Sequence, residues 1–223
     1  MRLHFVVEGQ TEETFVRDIL APELGSGNIF CDARRIETGR RKGKIFRGGF
    51  LEYRHLHKDL ELWIKQDPAP DSWFTTMVDL YRIPPEFPGF EESKRLADPY
   101  IRVSFLEEKL REDVAYRRFI PYIQLYEFES LLFADPESFS IAFPDHSKEI
   151  AALHAVRDEF PNPELIDEGP ETHPSIRING IIPQYEKPSS GPLIAKQIGL
   201  PVLQRECRHF ASWLSTIESL LNH

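Results

Sequence analysis

Four short apolar runs, three of them followed or closed by an acid, constrain this chain more than any other feature. "LHFVV" (3–7) runs into Glu8, "SWFTTMVD" (72–79) closes on Asp79, and "FIPYIQLYEF" (119–128) contains Glu127 with Glu129 just beyond; "IFCDARRI" (29–36) is a weaker fourth. Mostly apolar runs of this length suit strands buried on both faces. Between them the apolar residues change to helical spacing: Phe15, Val16, Ile19 and Leu20; Tyr53, Leu56, Leu60 and Trp63; then Val103, Leu106, Leu110 and Val114. Strand and helix alternating in this order predict a mostly parallel α/β sheet with helices on both faces.

The boundaries carry further expectations. Thr11 is placed to cap the first helix, with Glu12 and Glu13 in its first turn and Pro22 and "GSG" (25–27) ending it. "LYRIPPEFPGF" is a proline-rich loop. Beyond residue 135 the strand signal fades: a helix near 146–158, an irregular polar stretch, then Leu203, Cys207, Phe210, Leu214, Ile217 and Leu221 on one helical face after Pro201. The expected division is an α/β core over 1–135 and a C-terminal helical annex over 136–223, packed on it.

Composition narrows the class. With 41% hydrophobic and 28% charged residues in 223, the chain has the means to bury a sizeable core. No apolar run reaches the length of a membrane span, and the chain enters its first strand at once, so neither a membrane segment nor a signal peptide is expected. Cys31 and Cys207 are two distant lone thiols, which fits a cytoplasmic setting. The net charge is −9, yet residues 34–47 hold seven basic residues against one acid, Glu37. Arg40, Arg41, Lys42, Lys44 and Arg47 read as a glycine-containing, flexible segment that contacts nucleic-acid phosphates; a solvated connection is the alternative.

In an open parallel sheet, ligands bind beyond the carboxyl ends of the strands. Glu8, Asp79 and Glu127 therefore converge on one edge, joined by Glu12 from the start of the following helix. Clustered carboxylates repel one another unless a cation sits among them. An all-oxygen set without His or Cys suits Mg²⁺ or Mn²⁺ rather than zinc. Glu129 is the weaker ligand, because it points away from Glu127 if "FESLLF" is already helical. Glu13 belongs to the solvated helix face, and His173, before Pro174, is structural.

These residues also carry a resemblance. "VVEGQTEETFV" is similar to the opening motif of Toprim domains, in particular those of the overcoming-lysogenization-defect (OLD) nucleases, and "TMVDLY" resembles their acid-x-acid motif. More closely, "QLYEFESLLF", "THPSIRI", "YEKPSSGP", "AKQIGL" and "CRHFASWL" look, in order, like an uncharacterised bacterial family of Toprim-like proteins. The resemblance implies a Toprim-like sheet and metal binding by Glu8, Glu12 and Asp79, with Glu127 and Glu129 as further acids. It departs at Tyr81, which stands where the second acid of the pair is usual. It also implies Mg²⁺- or Mn²⁺-dependent phosphodiester hydrolysis on DNA or RNA, of an endonuclease type, with Glu8 as ligand or general base. Lys187, in a glycine- and serine-containing loop, and then Arg177 are the candidates for phosphate. Such relatives commonly work beside an ATPase, often in defence against phage or foreign DNA. This chain has no G-x-x-x-x-G-K-[ST] sequence, so an ATPase would be a partner encoded nearby. The alternatives are a non-catalytic module docking on an ATPase, which Tyr81 favours, and a small-phosphate hydrolase, against which the basic run argues.

Overall fold

The computed structural model describes residues 1–41, 44–47, 52–166, 169 and 171–222, with the side chains of 38–41, 44–47 and 222 excepted. Strand β1 (Arg2–Val7) lies at the centre, paired in parallel with β2 (Phe30–Arg35) on one side and β5 (Ser72–Asp79) on the other. Strand β5 in turn pairs in parallel with two short pieces, β6 (Phe119–Ile120) and β7 (Ile123–Gln124). The sheet order is thus β2-β1-β5-β6, with β7 also on β5. The expected single strand over 119–128 is broken because Pro121 has no N–H to give to the ladder and Tyr126 takes φ 60°.

Alternation along β1 sorts the helices into two layers. Leu3, Phe5 and Val7 enter one buried cluster and Val6 the other. The second cluster is closed by Leu56, Leu60 and Trp63 of α3 (Tyr53–Gln66) and by Val103, Leu106 and Leu110 of α5 (Pro99–Val114); the short α4 (Phe90–Ser93) precedes α5. The first cluster takes in Phe15 of α1 (Gln10–Phe15), Val16, Ile19 and Leu20 of a π-helical turn (Val16–Leu20), and Leu24 of α2 (Ala21–Ser26). Each such side chain removed from water contributes about 1.5–3 kcal/mol before entropy is counted. Pro22 does not stop this helix. It falls in the first turn of α2, where no N–H is required of it, and the helix ends at Ser26.

The residues after 135 join that same first cluster. Helices α6 (Ser147–Asp158), α7 (Pro174–Ile181), α8 (Lys187–Ile198), α9 (Leu200–Glu206) and α10 (Arg208–Ser219) supply Leu153, Ile178, Ile194, Leu203 and Phe210 among others. The single last helix implied by the spacing is two: the chain leaves helical geometry at Cys207 (φ −113°, ψ 93°), yet Leu203, Cys207, Phe210, Leu214 and Ile217 all stay buried. The new start at α10 is held from outside, by Glu164, whose carboxylate accepts from His209 N at 2.8 Å and Phe210 N at 2.9 Å.

The basic run is no loop. After Ile36, whose N–H bonds Val7 O, β3 (Glu37–Arg41) and β4 (Lys44–Arg47) form an antiparallel pair with Arg41 opposite Lys44. Charge density does not prevent backbone pairing where a hairpin needs only a short ladder. Arg40, Arg41, Lys44 and Arg47 lie on its strands; Lys42 lies outside the described residues. Arg34 and Arg35 are engaged elsewhere, Arg34 with Gln66 and the Trp63 ring, Arg35 with Glu13 at 3.0 Å. Among the described residues no helix is long and apolar enough to cross a membrane.

Candidate metal and phosphate site

The parallel register brings the strand-end acids to one edge. Glu8 follows β1 and still gives its N–H to Met77 O at 3.0 Å, while Asp79 closes β5 and gives its N–H to Glu8 Oε2 at 3.2 Å. Gly9, not Thr11, is the residue before helix α1: extended at φ −148°, it donates its N–H to Glu12 Oε2 at 2.8 Å. A Cβ at position 9 would stand 3.2 Å from that same oxygen. Glu12 thus turns back over the helix start and is only 2% exposed. Thr11 is buried against α8, where Gly191 allows the approach: a Cβ there would meet Tyr185 Oη at 3.1 Å and Thr11 Cγ2 at 3.4 Å.

That approach delivers Lys187. Expected in a loop, it is the first residue of α8, with Pro188 in the first turn where its missing N–H costs nothing. Its ammonium stands 3.0 Å from Asp79 Oδ2, 3.0 Å from Glu129 Oε2 and 3.7 Å from Glu12 Oε1. Burial opposes its charge, but these three carboxylates together hold it well above the usual lysine range. Burial also raises Glu129 and raises Asp79 strongly, with Lys187 pulling the other way in both. Glu8 is pushed up to about 7, by burial first and by Glu12 next, against Lys187, the Asp79 N–H and Arg82.

Glu127 and Glu129 do point apart, because Phe128–Ala134 is a 3-10 helix. Their ranking, however, is the reverse of the expected one. Glu129 meets Lys187 at the centre, whereas Glu127 is held at the side by His173 Nδ1 (3.0 Å), Ser175 N (2.9 Å) and Ser175 Oγ (3.2 Å). His173 and Ser175 flank Pro174 at the start of α7, a segment that reads as irregular in sequence although Pro at a first helical position is a start signal. Tyr81 does not line the cavity that holds the acids; its ring lies tilted by 31° against that of His173, with centroids 4.6 Å apart.

All five candidate acids, with Lys187 and Arg82, line one cavity of about 230 Å³. Arg177 does not: its Nε donates to Thr172 O at 2.5 Å and its guanidinium lies over Phe160. Arg82 takes its place. It sits in the 3-10 turn Leu80–Arg82 that directly follows β5, is exposed, and makes no hydrogen bond or ion pair among the described residues. Its position three residues after Asp79 is the sequence signal that would have found it.

Among the described residues no three His, Cys, Asp or Glu side chains stand ready as a metal-ligand group; an ammonium lies between the carboxylates instead. Three buried oxygens, Glu12 Oε1, Asp79 Oδ1 and Glu129 Oε2, nevertheless have no hydrogen-bond partner among the described residues; the first and last face the Lys187 ammonium, and Asp79 Oδ1 faces no cation within ion-pair distance. Orphaned buried carboxylate oxygens are costly, and hard oxygen donors of this kind match what Mg²⁺ or Mn²⁺ takes.

A model of the family described as a domain of unknown function, DUF4276, matches residues 7–218. No curated protein matches the chain. Two solved structures of the C-terminal region of the Xanthomonas campestris pv. campestris OLD protein align with it. The mercury-phased one does so with TM-score 0.45 and 12% identity, over 99% of this chain and 98% of that one. The platinum-phased one gives TM-score 0.44 and 14% identity, over 100% and 97%.

Proposed function

This chain belongs to the DUF4276 family, whose description assigns no activity, and we propose that it is a Mg²⁺- or Mn²⁺-dependent nuclease of Toprim-like type. One observation carries the reading: five acids from four separate segments meet in one cavity at the carboxyl edge of a parallel sheet, with the buried Asp79 Oδ1 left without hydrogen-bond or ion-pair partner among the described residues. Glu8, Glu12 and Asp79 would hold the metal, which would supply a polarised phosphate and an activated water. Glu129 supports Asp79 through Lys187, and Glu127 closes the side of the cavity. Arg82 is the exposed cation at the rim for a phosphate oxygen. The basic β3–β4 hairpin begins at the same edge, one residue after the end of β2, and extends the phosphate-binding surface towards a polymer.

DNA or RNA is therefore the substrate class. A cytoplasmic ATPase partner encoded nearby, in defence against phage, remains part of the reading and rests on the sequence resemblance alone. A second reading, a binding module without turnover, has Lys187 behind it, since the ammonium already neutralises part of the acid cluster.

Cleavage of supercoiled plasmid and of single-stranded DNA and RNA, with Mg²⁺ or Mn²⁺, tests the proposal. Wild type is expected to cut at least one of them, and Glu8→Gln and Asp79→Asn to cut none. In parallel, metal at a hundred times its Kd adds about 2.7 kcal/mol to stability, or about 5–10 °C in melting temperature for a domain of this size. Asp79→Asn should lose that rise. No cleavage, with no thermal response to metal even when nucleic acid is present, would leave the binding module as the function.

A further inference from the structure

Three observations concern the number of cations the site takes. First, Lys187 Nζ lies within 4 Å of Glu12, Asp79 and Glu129, so the oxygens that would bridge a second ion already face an ammonium. Second, the residue that would add a carboxylate two positions after Asp79 is Tyr81, and its ring is packed on His173. Third, Glu127 is taken by His173 and Ser175. What remains open among the described residues is small: Asp79 Oδ1, buried and without hydrogen-bond or ion-pair partner, beside Glu8 and Glu12 Oε1, the last 3.7 Å from the ammonium and making no hydrogen bond.

We propose that Lys187 takes the place of a second divalent cation, so that the site binds one Mg²⁺ or Mn²⁺ per chain and the ammonium supplies the remaining positive charge. The inference rests on the metal-dependent reading above. The charges favour it. Glu8, Glu12, Asp79 and Glu129 bring four negative charges when ionised; Lys187 and one divalent ion offset three of them. A second divalent ion would have to stand against the ammonium among the same oxygens. The packing of α8 on α1 at Gly191 fixes the backbone from which Lys187 reaches the acids, and its ammonium is held there by Asp79 and Glu129 at 3.0 Å each. Its role is to position and neutralise the carboxylates whether or not a substrate is present.

Mn²⁺ titration of the full chain, followed by electron paramagnetic resonance and calorimetry, tests this. Wild type is expected to bind one Mn²⁺ per chain, and Lys187→Arg, which keeps the charge, also one. Lys187→Met is expected to bind a second Mn²⁺, because the vacated oxygens become available. Two ions in the wild type would overturn the inference and leave the metal-dependent reading standing. No bound Mn²⁺ in the wild type would overturn both. Should Lys187→Met fail to fold, the wild-type stoichiometry decides alone; if it folds and still binds one ion at unchanged affinity, the substitution idea is wrong.

Discussion

Removing the Glu164 carboxylate should cost more stability than removing any surface ion pair in this protein. Glu164 is fully buried and accepts three hydrogen bonds: from His209 N at 2.8 Å, from Phe210 N at 2.9 Å, and from the Tyr100 hydroxyl at 3.1 Å. It joins α5, in the layer on one side of the sheet, to the start of α10, in the layer on the other. Glu164→Ala leaves two backbone N–H groups without an acceptor, while the Tyr100 hydroxyl keeps Asn162 Oδ1 at 3.0 Å. Each buried orphan donor costs about 1–3 kcal/mol, and the charge at a helix start adds about 0.3–1 kcal/mol. Part of this is recovered if water enters the cavity, so the expected total is about 3–5 kcal/mol. For a chain of this length that corresponds to about 6–20 °C in melting temperature. Tyr100→Phe removes one donor and leaves the backbone contacts, so about 1 kcal/mol is expected from it. Urea unfolding of the two single variants and the double variant is the assay. In the Ala background, Tyr100→Phe should cost less than in the wild type, because only its bond to Asn162 Oδ1 remains to be lost. A loss under 1 kcal/mol for Glu164→Ala would refute the account of α10 as a helix started from outside.

Two further outcomes are expected. Replacing Arg40, Arg41, Lys42 and Lys44 by Ser should lower the slope of log affinity for nucleic acid against log salt by roughly 2–3, independently of base sequence; an unchanged slope would point the basic hairpin towards a protein partner. His209 donates to Glu107 Oε1 at 2.9 Å, and although burial opposes its protonation, Glu107 outweighs burial and raises it above the ordinary histidine value of 6.5. A group raised on folding contributes stability below its unfolded pKa and loses it as pH climbs through the folded one. The stability difference between wild type and His209→Gln should therefore be larger at pH 6 than at pH 9, measured by thermal unfolding at both; an equal difference would show that the contact does not depend on protonation.

The sheet could be read from sequence because its signals are local. An apolar strand followed by an acid is visible at 3–8 and 72–79, and parallel order then places Glu8 and Asp79 together without further information. The counter-charges were harder to see, because proline obscures their elements. Lys187-Pro188 and Pro192 made α8 look like a loop, and His173-Pro174 made α7 look irregular, although proline suits a first helical turn. Pro192 lies inside the helix, where it removes one hydrogen bond that packing of Ile194, Ala195 and Ile198 outweighs. Arg82 was lost in a proline-rich stretch, and the exchange of roles between Glu127 and Glu129 depends on a 3-10 turn that residue types alone do not specify. The break at Cys207 was invisible for another reason: the buried face continues through it at the same spacing, and what starts the second helix is an acid more than forty positions earlier.

The 108-residue separation between Asp79 and Lys187 means that the acid edge and the cation set against it come from distant parts of the chain. Until α8 arrives, Glu12, Asp79 and Glu129 have no cation among them, and ordering β1 against β5 brings like charges together at their ends. Without the Lys187 ammonium, protonation or a divalent ion from the solvent would be needed to relieve the repulsion. Docking of the C-terminal helices supplies this edge with a fixed positive charge, Lys187 against Asp79 and Glu129. Synthesis interrupted before residue 187 would leave a sheet whose completion depends on the ion content of its surroundings.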